Sequence, residues 1–337
     1  MKNKFYIFFC LFLLIACNKN KQVTPISTTY ELLNDNIMIS TPGFFKISGD
    51  YLYLSDLKSA DSIIHIFDTK SGKQLASFGN IGNGPNEFTA PIINTGFDGT
   101  ISISNAGTPR LGILDAKKLL INNEGYKDLS PQPITDSQAM QFIDENTYLY
   151  LSPEKENTLF KTVDKSTNTT ISWGAYPIKT EMKYMNYKDA YEGEINYDYY
   201  NNYLLLKFIR VPQIILFKKD GDQFKQLKTK NLSKYEYDIR DNKMVINYLE
   251  PCRTKMVSLT KDYIVLLDDS NISIEKRKEM KRPVLSRRQL ILLDYKLEEQ
   301  KVIDLNKDIY LIASDSRFND VYLVVADPDY SIIKIKL

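Results

Sequence analysis

Cys17 is the residue whose chemistry is written most plainly in this chain. Lys2 and Lys4 precede an almost unbroken apolar run over residues 5–15, which ends in Leu14-Ile15-Ala16-Cys17. The run has the length of a signal-peptide core and is too short to span a bilayer comfortably. A small residue before the cut and a thiol after it resemble the bacterial lipobox, in which cleavage leaves Cys17 as the lipid-bearing first residue; a plain secretory signal or a short anchor is the alternative. The spacing predicts a leader over 1–16, a lipidated tether over 17–24 and one domain over 25–337. Candidate binding residues fall in three further places. The stretch from Gly79 to Phe88 contains Gly82, Gly84, Pro85 and Glu87, a glycine-rich loop able to contact a ligand or to shape a turn. Arg110 and Arg210 occupy equivalent turns and are candidates to converge on an anion. Residues 271–288 hold Lys276, Arg277, Lys278, Lys281, Arg282, Arg287 and Arg288 against Glu275 and Glu279. Such a basic loop suits an anionic glycan, a lipid head group or an acidic partner, or is a solvated insertion.

Other chemistries find little support. One histidine, His65, makes His-rich metal sites and His-dependent triads improbable, and its alternating surroundings predict a packed or hydrogen-bonded ring. Cys252 is a lone thiol, without an evident partner. Asp56, Asp61, Glu87, Asp98, Asp327 and Asp329 raise the idea of calcium, but no close D-x-D-x-D loop is present. Catalytic residues, metal and cofactor are all assigned as none. The tyrosine-rich segment 184–203 offers rigid, amphipathic contact area for carbohydrate or protein, or packs between elements. Lys and Arg number 44 and Asp and Glu 42. Lys2 and Lys4 leave with the leader, so the mature side chains balance. That balance and the export signal argue against nucleic acid as a partner.

The elements that position these residues repeat. An apolar strand runs, usually into Asp, a polar turn follows, and a second strand returns. The instances begin at 63–68, 111–115, 159–164, 214–217 and 290–294, with returns at 74–78, 119–121, 169–173, 224–227 and 301–305. Asp suits the turn because its side chain accepts from turn amides. Period-two alternation and β-branched content argue for strands. Another strand precedes each hairpin, at 51–54, 100–104, 147–151, 203–209 and 263–267. The unit is four antiparallel strands recurring at about 50 residues, the spacing of propeller blades. Five full units are visible, and a sixth over 309–337 has three strands. Residues 26–33 are expected to supply its fourth, which closes the ring and removes an exposed edge. The fold is therefore expected to be an all-β, six-bladed propeller. Residues 228–251 are poorly patterned and leave seven blades as the alternative.

The segment Gly82-Asn83-Gly84-Pro85-Asn86-Glu87-Phe88, with the blade count and the lipobox, resembles the TolB-like six-bladed β-propeller lipoproteins of Gram-negative bacteria. Members often carry a G-x-G-P-x-E-F-like segment after the first blade. The resemblance spans roughly residues 24–337. It implies a propeller fold and an envelope location, and it carries over no catalytic residues. Two functions follow as expectations. The first, favoured here, is a non-enzymatic binding or scaffolding propeller for a peptide, glycan or partner protein. The second is a channel-centred, metal-dependent lactonase or lyase. A monomer, held in the membrane through its lipid and facing the periplasm from the outer membrane, completes the reading. Asn18 and Lys19, where acidic residues route some lipoproteins to the cell surface, support that side.

Overall fold

Runs of isoleucine, leucine, valine and tyrosine alternate with smaller polar residues and so build strands that are buried on both faces. In the computed structural model these strands form six blades arranged in a ring. The structure describes residues 23–59, 61–97, 99–105, 110–129, 139–154, 158–178, 184–250, 256–268, 289–326 and 328–337. The leader, Cys17, Cys252 and the basic stretch 271–288 lie outside the described residues.

Each blade is an antiparallel sheet whose first strand faces the central axis. Blade 1 comprises Pro42–Ser48, Tyr51–Asp56, Ile64–Asp68 and Gln74–Phe78. Blades 2, 3 and 4 begin at Pro91–Thr95, Met140–Phe142 and Gly193–Asp198. Blades 5 and 6 begin at Met256–Leu259 and Asp308–Ser314. Neighbouring first strands touch all the way round. Between blades the core is closely packed. Phe160 and Trp173 of blade 3 stack at 4.4 Å, and Trp173 stacks on Phe224 of blade 4 at 5.1 Å.

The aspartates at the ends of third strands do what their position predicts. Asp68 Oδ1 accepts from the Lys70 and Ser71 amides at 3.1 and 2.7 Å. Asp164 accepts from the Ser166 amide at 2.7 Å, and Asp294 from the Lys296 and Glu298 amides at 2.9 Å. In blade 2 the same device gives a different element. Asp115 accepts from the Lys118 amide at 3.1 Å and caps a short helix, Ala116–Asn122. The expected return strand over 119–121 is thus helical, and the fourth strand of the blade is Tyr126–Asp128. Ala116 and Leu119 bury one side of this helix, and Asn123 ends it in the left-handed conformation.

The closing segment divides in two. Glu31–Asn34 pairs antiparallel with Tyr330–Lys336 and completes blade 6, with Glu31 opposite Lys334 and Leu32 opposite Ile333. Pro25–Ser27 instead adds a fifth, parallel strand to blade 5, against Glu299–Asp304. The expectation of one strand over 26–33 is corrected accordingly. Proline is tolerated there because an outermost strand leaves one row of amides unpaired. Residues 228–251 do not form a seventh blade. Gln223–Asn231 is the outer strand of blade 4, and Tyr235–Arg240 pairs only with Lys243–Tyr248 as a ribbon in the connection to blade 5.

The closing strand also latches onto blade 1. Asn34 Nδ2 donates to the Gly72 carbonyl at 2.8 Å. Gly72 has φ +65°, and a Cβ there would meet the Leu33 carbonyl oxygen at 2.5 Å. Gly221 has a similar φ, +60°, with nothing within 4 Å of a built Cβ. Gly72→Ala is expected to cost about 1–3 kcal/mol and Gly221→Ala clearly less. Urea unfolding followed by the fluorescence of the single tryptophan measures both; equal costs would show that the latch contributes nothing.

Candidate functional site

The ring leaves a channel along its axis, lined by residues of the first strands of blades 1, 2, 4, 5 and 6 and by Ala139 ahead of that of blade 3. In blade 1, Lys46 and Ser48 line it, and Phe45 and Ile47, buried in the core, also contribute to its wall. In blade 4, Glu194 and Asn196 alternate with buried Ile195 and Tyr197.

Two cavities share Phe45, Lys46, Val257 and Ile312 and meet at that waist. The first is a funnel on the side of the interblade connections. Its volume is about 1000 Å³, including solvent at the mouth. Phe44, Ile92, Met256 and Leu311 give it apolar walls, and Asn94, Glu192 and Glu194 supply polar groups. The second, of about 690 Å³, opens on the opposite side. Lys46, Asn196, Ser258 and Ser314 line it, with turn residues that include Gly49, Gly96 and Tyr200.

The polar groups of the channel are fixed in place. Asn94 Nδ2 donates to the Met140 carbonyl at 2.6 Å, bridging blades 2 and 3. Lys207 Nζ lies 3.6 Å from Glu194 Oε1. Lys46 Nζ donates to Asn196 Oδ1 at 3.3 Å. Burial pushes the Lys46 ammonium below its ordinary range, and the Glu194 carboxylate opposes that shift. Among the described residues, no group of three or more His, Cys, Asp or Glu side chains is arranged to hold a metal ion.

The residues singled out from the sequence have different surroundings. Glu87 folds back into its own loop, where its Oε2 accepts from the Gly84 amide at 2.7 Å. A Cβ on Gly82 would sit 2.1 Å from the same oxygen, so Gly82 leaves room for the carboxylate. Arg110 donates to the Glu87 carbonyl, and its guanidinium lies 5.8 Å from the centre of the buried Phe88 ring. Gly82, Gly84, Glu87 and Arg110 therefore build one braced connection between blades 1 and 2. Arg210 pairs with Asp189 on the helix Tyr184–Ala190, in the connection between blades 3 and 4. Both partners are about half exposed, and such pairs contribute about 0–1 kcal/mol. Neither arginine lines the two channel cavities. Lys276, Arg277, Lys278 and Arg288 lie outside the described residues, as does Cys17. Much of the tyrosine-rich segment is packing: Tyr191 is fully buried and stacks on Tyr176 at 4.3 Å.

The channel residues have a sequence signal that is easy to pass over. Lys46, Asn94, Glu194 and Asn196 are polar residues within the first strand of a blade, each beside an apolar neighbour. Lys46 in Pro42–Ser48 and Glu194 in Gly193–Asp198 are the clearest instances.

No protein-family model matches the chain, and no curated protein matches it. Solved structures do. One is a member of the DUF4221 family from Bacteroides vulgatus, with 12% identity, 93% of this chain and 97% of that chain covered, and a TM-score of 0.58. Another is an auxiliary nutrient binding protein from Bacteroides thetaiotaomicron, with 11% identity, 93% and 74% covered, and a TM-score of 0.52. The chain is a six-bladed β-propeller. At such identities the shared property is the fold.

His65 provides a pH-dependent handle on this fold. It is 9% exposed on the third strand of blade 1, with Nδ1 3.3 Å from Gln74 Nε2 and 3.4 Å from Ser77 Oγ. Burial lowers its pKa, with Asp56 opposing. The unfolded chain therefore takes up a proton more readily, at about pH 6.5. The stability associated with neutral His65 is complete above that pH and declines as pH falls toward the lower folded value. As this is the only histidine, wild type is expected to lose more stability than His65→Gln between pH 7.5 and 5.5. Coincident urea midpoints for the two proteins across that window would refute it.

Proposed function

We propose that this chain is a TolB-like bacterial envelope lipoprotein whose propeller binds the end of a peptide or glycan in the channel funnel. The observation that carries the reading is the funnel itself, with apolar walls and Asn94, Glu192 and Glu194 among them. Ligand sites commonly combine apolar walls with a few fixed polar groups. Carboxylates accept from amines and hydroxyls, which peptide termini and sugars supply. Glu194 is held by Lys207 and Asn94 by the backbone of blade 3, so these groups orient a ligand without rearranging. The role is binding, with no catalytic step. A propeller of the same fold described as an auxiliary nutrient binding protein is in keeping with it.

Lipid on Cys17 would set the geometry of presentation. Seven residues lie between Cys17 and Pro25, and the eight steps reach at most about 28 Å. Pro25–Ser27 and Glu31–Asn34 are the outermost strands of blades 5 and 6. The propeller would therefore stand on its edge at a periplasm-facing outer membrane, as a monomer, with both channel mouths open to the side. No described helix is long and apolar enough to cross a membrane.

Two experiments test the reading. Calorimetric titration with short free-amine peptides and neutral oligosaccharides should give saturable binding to the wild type. Glu192→Gln combined with Glu194→Gln should weaken it at least tenfold; unchanged affinity removes the funnel as the site. Separately, Cys17→Ala should abolish palmitate labelling and release the protein from the membrane fraction. Labelling that persists would overturn the anchor.

A further inference from the structure

We propose that the cavity at the opposite end of the channel is a binding site for an oxyanion, built on Lys46. The ligand class is a phosphate, sulfate or carboxylate group, either free or carried on a larger molecule.

The charge count near the waist comes first. Lys46 and Lys207 share one carboxylate, Glu194, which already lies 3.6 Å from Lys207. The other acid on the cavity wall, Asp315, is matched by Arg317, whose Nε donates to Asp315 Oδ2 at 2.8 Å. Arg317 is spent on that contact and on the Gly49 carbonyl at 2.7 Å. The waist therefore holds two ammoniums around one carboxylate, with Glu192 lining only the funnel. A charge in that position is costly unless it is paired.

The hydrogen-bonding groups have the same sense. Among the described residues Lys46 Nζ makes one hydrogen bond, to Asn196 Oδ1. Two of its three N–H donors are left for a ligand. With Oδ1 facing Lys46, the Asn196 amide nitrogen turns away from it and has no partner among the described residues. Ser314 Oγ lies 2.7 Å from the Leu259 carbonyl and 2.5 Å from Ser258 Oγ. Ser314 donates to Leu259, so Ser258 donates to Ser314 Oγ and both hydroxyl protons are taken. The unmatched donors are those of Lys46 and Asn196, from blades 1 and 4. The funnel, by contrast, holds the carboxylates of Glu192 and Glu194. The two ends of one channel differ in charge, and an anion fits only the second. The site does not depend on what the funnel binds.

The test uses inorganic phosphate and sulfate, with chloride at equal ionic strength as the control. Calorimetry on the purified protein should show saturable binding of phosphate or sulfate and none of chloride. Lys46→Met should weaken it at least tenfold, and Asn196→Ala several-fold. Lys234→Met, an exposed lysine on the outer ribbon (77% exposed side chain), should bind as wild type does. Absence of saturable binding by any oxyanion overturns the proposal, as does equal binding by wild type and Lys46→Met. Should Lys46→Met fail to fold, unchanged affinity in Asn196→Ala overturns it.

Discussion

The pairing of the two chain ends is the constraint on which the rest of this molecule depends. A ring of sheets joined in sequence has one seam, and here Glu31–Asn34 crosses it by lying along Tyr330–Lys336. Without that strand the last blade presents a row of unpaired amides and carbonyls, a template for aggregation. The seam is reinforced beyond the sheet. Asn34 reaches the turn of blade 1 at Gly72, so one short segment ties the last blade to the first. Pro25–Ser27 covers the edge of blade 5 in the same pass. Closure presses the six first strands together, and only then does a channel exist.

That channel concentrates opposing requirements. Its lining residues lie on strands whose other faces are core, so each polar group is held by a rigid backbone. Rigidity suits recognition, because fixed donors and acceptors need no reorganisation when a ligand arrives. The cost is electrostatic. Lys46 and Lys207 are withdrawn from water with one carboxylate between them, and burial lowers the Lys46 pKa. Proteins retain such groups where function needs them, at some expense of stability. The surface arginines, by contrast, are absorbed by local structure: Arg110 braces a connection, and Arg210 meets Asp189.

The departures from the repeat share a cause. In blade 2 the stretch after Asp115 has the composition of a short helix, and its cap, its buried Leu119 and the left-handed Asn123 all agree. Between blades 4 and 5 a ribbon sits where a longer connection is available, and it packs Met244 against the core of blades 3 and 4. Neither feature disturbs the first strands, which is why the ring tolerates both.

The blade architecture was legible because it is local. Alternation, aspartate-capped turns and a period of about 50 residues are written in consecutive residues. They determine four-stranded units and the need for a closing strand, and favour six over seven of them. The apolar run ending at Ala16-Cys17 is equally local. The division of residues 25–34 between two blades was not legible, since it depends on which sheet edges lie within reach. The channel site was not legible: the residues singled out from sequence were Gly82, Gly84, Glu87, Arg110, Arg210 and the basic stretch 271–288, and sequence could not say which first-strand residues would face each other. Lys46, Glu194 and Asn196 come from blades 1 and 4, and Ser258 and Ser314 from blades 5 and 6. Their proximity is a product of ring closure, and so is the low-dielectric setting that perturbs Lys46. The sequence by itself determined the blades. The closed ring alone decided which charges meet, because electrostatic interaction depends on distance in space and on exclusion of water, and neither is encoded by position along the chain.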